Sequence, residues 1–329
     1  MTESIIICFG DALIDMLQNP GDADPPQFTQ YPGGAPANVA AAVARLGGQS
    51  HFAGAVGADA FGRYLQQTLQ GLGVGIAMMP TTDKGLTPLA IVNLKADGER
   101  SFSFYHLKTA PQFFTKADFK AELFQPTPLF HFVSNILTTP GLLATTQAGV
   151  ELARAQDGLS SFDVNLRPGF WPEPKLMRPH IEIMLGLADI LKVSEEELAY
   201  LAENRNPLTC IESWLAAGTG LICVTRGEAG LDYYTPALRG SLPAFPVRAL
   251  DTTAAGDAFI GGVLYGLSQQ VQGRAAFRAW QQDAEQVRTV LRIGAACGAI
   301  AVSRFGAIPS LPTQADIAPF LIADNSESG

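Results

Sequence analysis

Short apolar runs that stop at Gly, Asp or Asn alternate along the chain with stretches whose apolar positions recur every three to four residues. The runs at 5–9, 52–56, 90–94, 101–105, 129–133, 160–164, 190–193 and 221–225 read as strands. The stretches 37–46, 60–72, 141–156, 194–203, 208–217, 256–267 and 285–302 read as helices. From about residue 125 onward the order is strand, helix, strand, helix, strand. That order predicts an α/β fold with a doubly wound, mostly parallel sheet flanked by helices. Ligands of such sheets sit at the carboxyl ends of the strands.

Residues 85–106 break the alternation. Two strand-like runs flank Lys95-Ala96-Asp97-Gly98-Glu99-Arg100, and Asp-Gly in that place signals a hairpin. Residues 12–32 are expected to add strands to the same layer. The expectation is one domain over 1–329, with a small β-sheet lid inserted at about 12–32 and 85–110. The tail after Asp324 is expected to fray.

Composition narrows the classes. With 329 residues, 47% of them hydrophobic, the chain can bury a sizeable core. A net charge of −9 argues against nucleic acid, whose phosphates need Lys/Arg stripes. A bound anion must then be held by local groups. Cys8, Cys210, Cys223 and Cys297 are too scattered for a zinc site or a disulfide framework. No leader pattern opens the chain and no apolar stretch is long enough for a bilayer, so no membrane partner is expected and the reading is cytoplasmic.

The chemistry concentrates in Asp251-Thr252-Thr253-Ala254-Ala255-Gly256-Asp257, which runs into an apolar helical pattern. Small residues before a helix leave its free N–H groups open to an anion. A carboxylate in that first turn can take a proton from an attacking hydroxyl. Taken alone, Asp251 or Asp257 reads first as a helix cap. A distant segment changes the balance. Gly33-Gly34-Ala35-Pro36-Ala37-Asn38 lets backbone approach a ligand, and Asn38 offers a donor and an acceptor. Asp11 follows the first strand, where vicinal hydroxyls can be gripped.

Together these two segments resemble the signatures of the ribokinase-like (PfkB) carbohydrate kinases. Asp163-Val164-Asn165-Leu166-Arg167-Pro168 and Lys192-Val193-Ser194-Glu195-Glu196-Glu197-Leu198 look like the fructokinase branch. The resemblance covers nearly the whole chain and implies roles for its residues. Asp257 matches the catalytic base, and Ala255 and Gly256 match the anion hole. Arg167 matches a clamp on phosphoryl charge that also lies near the substrate. Asp11, Gly33, Gly34, Asn38 and Asn165 match sugar positions, with Phe104, Tyr105 or His106 of the lid as cover. Thr225, Gly227 and Gly230 look like a nucleotide segment. Ser194 and Glu197 match an Asn-x-x-Glu element that orders magnesium through water, with serine in place of the asparagine. Asp251 and Thr253 match one wall of a monovalent-cation site, and Ala301, Gly306 and Ser310 the other.

The activity so implied is transfer of the γ-phosphoryl of Mg-ATP to a primary hydroxyl, with fructose as acceptor, K⁺ as an added ion and a homodimer formed through the lid. A 2-keto-3-deoxygluconate kinase, a ribokinase, and a catalytically inactive binding relative are the rivals. A nicotinamide dehydrogenase is disfavoured, because no G-x-G-x-x-G follows the first strand. One departure stands in the key loop. The family usually has glycine where Ala254 stands, and a positive φ there would cost about 1 kcal/mol.

Overall fold

The computed structural model describes residues 3–19, 25–94, 100–105 and 108–322. In chain order the strands are β1 Ile6–Phe9, β2 Leu13–Gln18, β3 Phe28–Gly33, β4 Ser50–Ala53, β5 Val56–Gly57, β6 Gly75–Met78, β7 Thr81–Thr82, β8 Leu89–Leu94 and β9 Arg100–Tyr105. They continue with β10 Leu129–Val133, β11 Leu159–Asp163, β12 Ile190–Ser194, β13 Leu221–Thr225, β14 Leu231–Tyr234 and β15 Arg239–Leu242. The helices are α1 Ala35–Arg45, α2 Ala60–Gly71, α3 Pro140–Ala155, α4 Pro174–Leu185 and α5 Glu195–Ala202. After these come α6 Pro207–Ala216, α7 Ala255–Gln270, α8 Gly273–Trp280, α9 Ala284–Val302 and α10 Gln314–Ile322.

Nine strands form the large sheet in the order β15-β14-β13-β12-β11-β10-β1-β4-β6. The pairs from β6 through to β13 are parallel, and the β13–β14 and β14–β15 pairs are antiparallel. Helices cover both faces, so each central strand is buried on both sides. In β1 the alternation is direct: Ile6 and Cys8 join one core, and Ile7 and Phe9 join the other. The first core is built with α1, α7 and α9, and the second with α3, α4 and a phenylalanine cluster around Phe114, Phe119 and Phe124. All four cysteines are buried and free.

A separate four-stranded sheet, β3-β2-β8-β9, confirms the expected appendage. The β8–β9 hairpin pairs Leu89 with Tyr105, and β2 pairs antiparallel with β3 and parallel with β8. The residues expected to form its turn, 95–99, together with His106 and the tail after Asp324, lie outside the described residues.

The chain reverses direction across the large sheet at β1, which lies between β10 and β4. That is the switch point at which open α/β sheets hold ligands. Asp11 follows β1, Asn165 follows β11, Ser194 closes β12 and Thr225 closes β13. All lie on the carboxyl rim.

Candidate active site

α7 starts beneath this rim. Its N-cap position is Ala254, and no side chain caps the helix; the Ala255 N–H donates to the Thr252 carbonyl at 3.3 Å. Ala254 has φ 59, in the left-handed region, so the strain foreseen from the sequence is present. Asp257, in the first turn, is buried. Its Oδ2 accepts from Asn38 Nδ2 at 2.8 Å, and its Oδ1 from Asn165 Nδ2 at 3.3 Å. Three segments far apart in sequence therefore converge on one carboxylate. Burial raises the Asp257 pKa above the ordinary carboxylate value, against the lowering effect of Asn38, Lys192, Arg167 and Asn165. A raised pKa makes a better proton acceptor near neutrality.

The acceptor side is built from α1 and β1. Gly34 has φ 102, and a Cβ there would lie 2.5 Å from the Asp11 carbonyl oxygen, so only glycine fits. Asp11 Oδ1 accepts from Asn135 Nδ2 at 3.0 Å. That bond, and the one from Asn38 to Asp257, fix which way the two amides point. Asp11 Oδ2, Asn38 Oδ1 and Asn135 Oδ1 are left buried without partners. Beside Asp11 and Asn135 a cavity of about 20 Å³, also lined by Thr109, Gln112 and Thr138, has room for about one hydroxyl. Phe104 packs on Phe170 with ring centroids 4.5 Å apart, while Tyr105 is exposed.

Two residues at the site escape sequence reasoning. Asp15, on β2, is half-buried among acids. Burial pushes its pKa up to about 7, and the charges of Asp11, Asp257 and Asp251 add to the rise. Burial likewise carries Asp11 to about 6. The other is Lys192, buried on β12 and paired with Asp163 Oδ1 at 3.0 Å. Burial opposes the Lys192 charge, but Asp163 and Glu197 outweigh it, and its pKa stays above the usual lysine value. A Cβ on Gly256 would lie 3.0 Å from its Nζ, so this ammonium sits beside the first turn of α7.

Asp15→Asn should be more stable than the parent at pH 8. The fold favours the protonated Asp15, so ionisation costs stability as pH rises from 3.8 through about 7. The full cost approaches about 4 kcal/mol at 1.36 kcal/mol per pH unit. The two proteins should converge below about pH 3, where Asp15 is protonated in both the folded and the unfolded state. Thermal unfolding from acid to alkaline pH checks this, and a variant less stable at pH 8 contradicts it.

The other sequence candidates are placed as follows. Ser194 is the N-cap of α5: its Oγ accepts from Glu197 N, and its own N–H donates to Glu197 Oε2. Its hydroxyl is thereby committed to the helix. Arg167 is exposed, and its Nη1 donates to the Leu166 carbonyl. The Thr225 hydroxyl donates to the Val193 carbonyl at 3.4 Å. Gly227 is exposed, with nothing within 4 Å of a Cβ position. Gly230 is buried against β15, where a Cβ would lie 2.1 Å from the Leu242 oxygen, so its smallness serves packing. Asp251 accepts from Thr253 N at 2.9 Å and Gly306 N at 3.0 Å, tying together the two walls of the expected cation site. Among the described residues, no cluster of three or more His, Cys, Asp or Glu side chains is arranged to hold a metal. A divalent ion carried by nucleotide phosphates and water needs no such cluster.

A buried carboxylate in the first turn of a helix with no side-chain cap, an ammonium beside it and a pocket lined by hydrogen-bond acceptors suit a phosphotransferase acting on an alcohol. The pfkB family carbohydrate kinase profile matches residues 4–314. Probable fructokinase-3 of Arabidopsis thaliana is 38% identical over 324 residues, which is 97% of this chain and 92% of that protein. The crystal structure of a Xylella fastidiosa fructokinase with bound ATP superposes with a TM-score of 0.93 at 38% identity, over 100% of both chains. The Vibrio cholerae O395 fructokinase in its fructose, ADP and calcium ion bound form gives 0.86 at 35% identity, over 97% of this chain and 99% of that one. A double mutant of it was solved in a fructose, ADP and potassium ion bound form, with 0.86 at 34% identity over 98% and 100% of the two chains. This chain belongs to the PfkB family of carbohydrate kinases, and its fold is ribokinase-like.

Proposed function

We propose that the chain transfers the γ-phosphoryl of Mg-ATP to the primary hydroxyl of fructose, giving fructose 6-phosphate. The observation that carries this reading is Asp257, held by Asn38 and Asn165 at the N-terminus of α7. Asp257 takes the hydroxyl proton through a lone pair that its two amide bonds leave free. The amides of Ala255 and Gly256, with Lys192 and Arg167, stabilise charge on the moving phosphoryl group. Magnesium bound with the nucleotide supplies further neutralisation of that charge. The open ground at Gly227 and Thr225 fits the nucleotide.

The acceptor pocket supports a neutral polyol. Asp11 Oδ2, Asn38 Oδ1 and Asn135 Oδ1 call for O–H donors. Asp11, Asp15 and Asp257 repel an anion. A carboxylate-bearing acceptor such as 2-keto-3-deoxygluconate is therefore disfavoured. The cation site between Asp251 with Thr253 and Ala301, Gly306 and Ser310 is kept for K⁺, as the potassium-bound form of the Vibrio relative supports. Exposed Phe28, Leu86 and Tyr105, on or beside the small sheet, support a homodimer through that sheet. No helix among the described residues is long and apolar enough to cross a membrane. Four free buried thiols support a cytoplasmic location.

The test is ADP release with fructose, ribose, 2-keto-3-deoxygluconate and adenosine. Fructose should give the highest kcat/KM. A preference for the keto acid, or no ADP release with any sugar, overturns the assignment.

A further inference from the structure

Glu197 occupies an unusual position for a helix-capping residue. Its Oε2 accepts from Ser194 N at 2.8 Å, as in an ordinary capping box. Its Oε1 accepts from Leu166 N at 2.7 Å, in a loop 31 residues away. The carboxylate thus ties the start of α5 to the loop that follows β11.

That loop needs tying. Asn165 has φ 36, a conformation that non-glycine residues hold only when their surroundings enforce it. Its own N–H donates to Asp163 Oδ1 at 3.1 Å, and Asp163 is in turn paired with Lys192. The next N–H, of Leu166, goes to Glu197. Asn165 is therefore clamped on both sides by groups that β12 and α5 supply. Held this way, its side chain reaches Asp257 at 3.3 Å.

We infer that Glu197 is a positioning residue for the catalytic base: through the Leu166 N–H it fixes the strained Asn165, whose amide then orients Asp257. Glu197 does this from the place in the sequence that the family resemblance links to magnesium. Serine at 194 makes the box possible, because its short hydroxyl accepts from the Glu197 N–H. The inference rests on Asp257 being the base.

Glu197→Asp draws the carboxylate back by one methylene, and Asn165→Ala removes the orienting amide. Three measurements separate the possibilities. Hydrogen exchange at the Leu166 amide should speed up about 10-fold or more in Glu197→Asp. In both variants kcat should fall about 10- to 100-fold. The acid limb of the kcat/KM profile should move to higher pH in both, since the Asn165 donor favours the charged Asp257. The half-saturating Mg²⁺ concentration should stay at the parent value.

A half-saturating Mg²⁺ concentration raised 10-fold or more, with the acid limb unmoved, would assign Glu197 to the metal and overturn the inference. Unchanged exchange at Leu166 would overturn it as well. Should the parent release no ADP with any sugar, the reading of Asp257 as base fails, while the exchange measurement still reports on the clamp.

Discussion

Asp257→Asn should lower kcat by about 10²- to 10⁴-fold, the range for loss of a general base. The KM for the sugar should stay within a few-fold, because asparagine preserves the shape and the pocket keeps Asp11, Asn38 and Asn135. Stability should not suffer. The carboxyl is buried and its pKa is raised, so at neutral pH the fold works against its charge. The melting temperature of the variant should equal or exceed that of the parent. Steady-state kinetics beside a thermal melt reads both quantities. A kcat within about threefold of the parent would remove Asp257 from the role of base.

Lys192→Met should have the other large effect, on both activity and stability. Methionine fills much of the volume of the lysine stem but leaves Asp163 without its cation. Asp163 is completely buried, and stranding one partner of a buried pair costs about 3–5 kcal/mol. Activity should fall by about 10² or more, since a charge at the proposed anion hole is lost. The double variant Lys192→Met with Asp163→Asn separates the two effects. It should recover most of the stability and none of the kcat. Recovery of both would make the pair purely structural.

Much of the fold was legible because apolar period and burial agree. The runs at 129–133 and 221–225 are strands over those same residues. The run at 52–56 instead divides between β4 and β5 around Gly54. The antiparallel strands β14 and β15, at one end of the large sheet, were missed, because they are short and only partly apolar. Helix α4 was missed as well. Pro179 lies inside it, and a proline in a polar-looking stretch reads as a break. Asp257, Asn38 and Asn165 were legible as separate motifs, and their convergence required the tertiary fold. Lys192 left a fainter trace: a charge within an apolar strand. Its meaning depends on register, since Asp163 is its direct neighbour across β11 and β12. Asp15 was hidden by the strand pairing of β2, which no local pattern reveals.

The crowding of Asp11 and Asp15 has a thermodynamic consequence for substrate capture. Both carboxyls hold protons more tightly than usual in the free protein, at about 6 and about 7. A sugar whose O–H donors meet Asp11, as proposed, favours the ionised form of that carboxyl. Sugar binding should therefore discharge protons into the medium. The apparent binding enthalpy would then change with the ionisation enthalpy of the buffer. Affinity would tighten as the medium becomes more alkaline, and the enzyme would hold its substrate least firmly in an acidified cell.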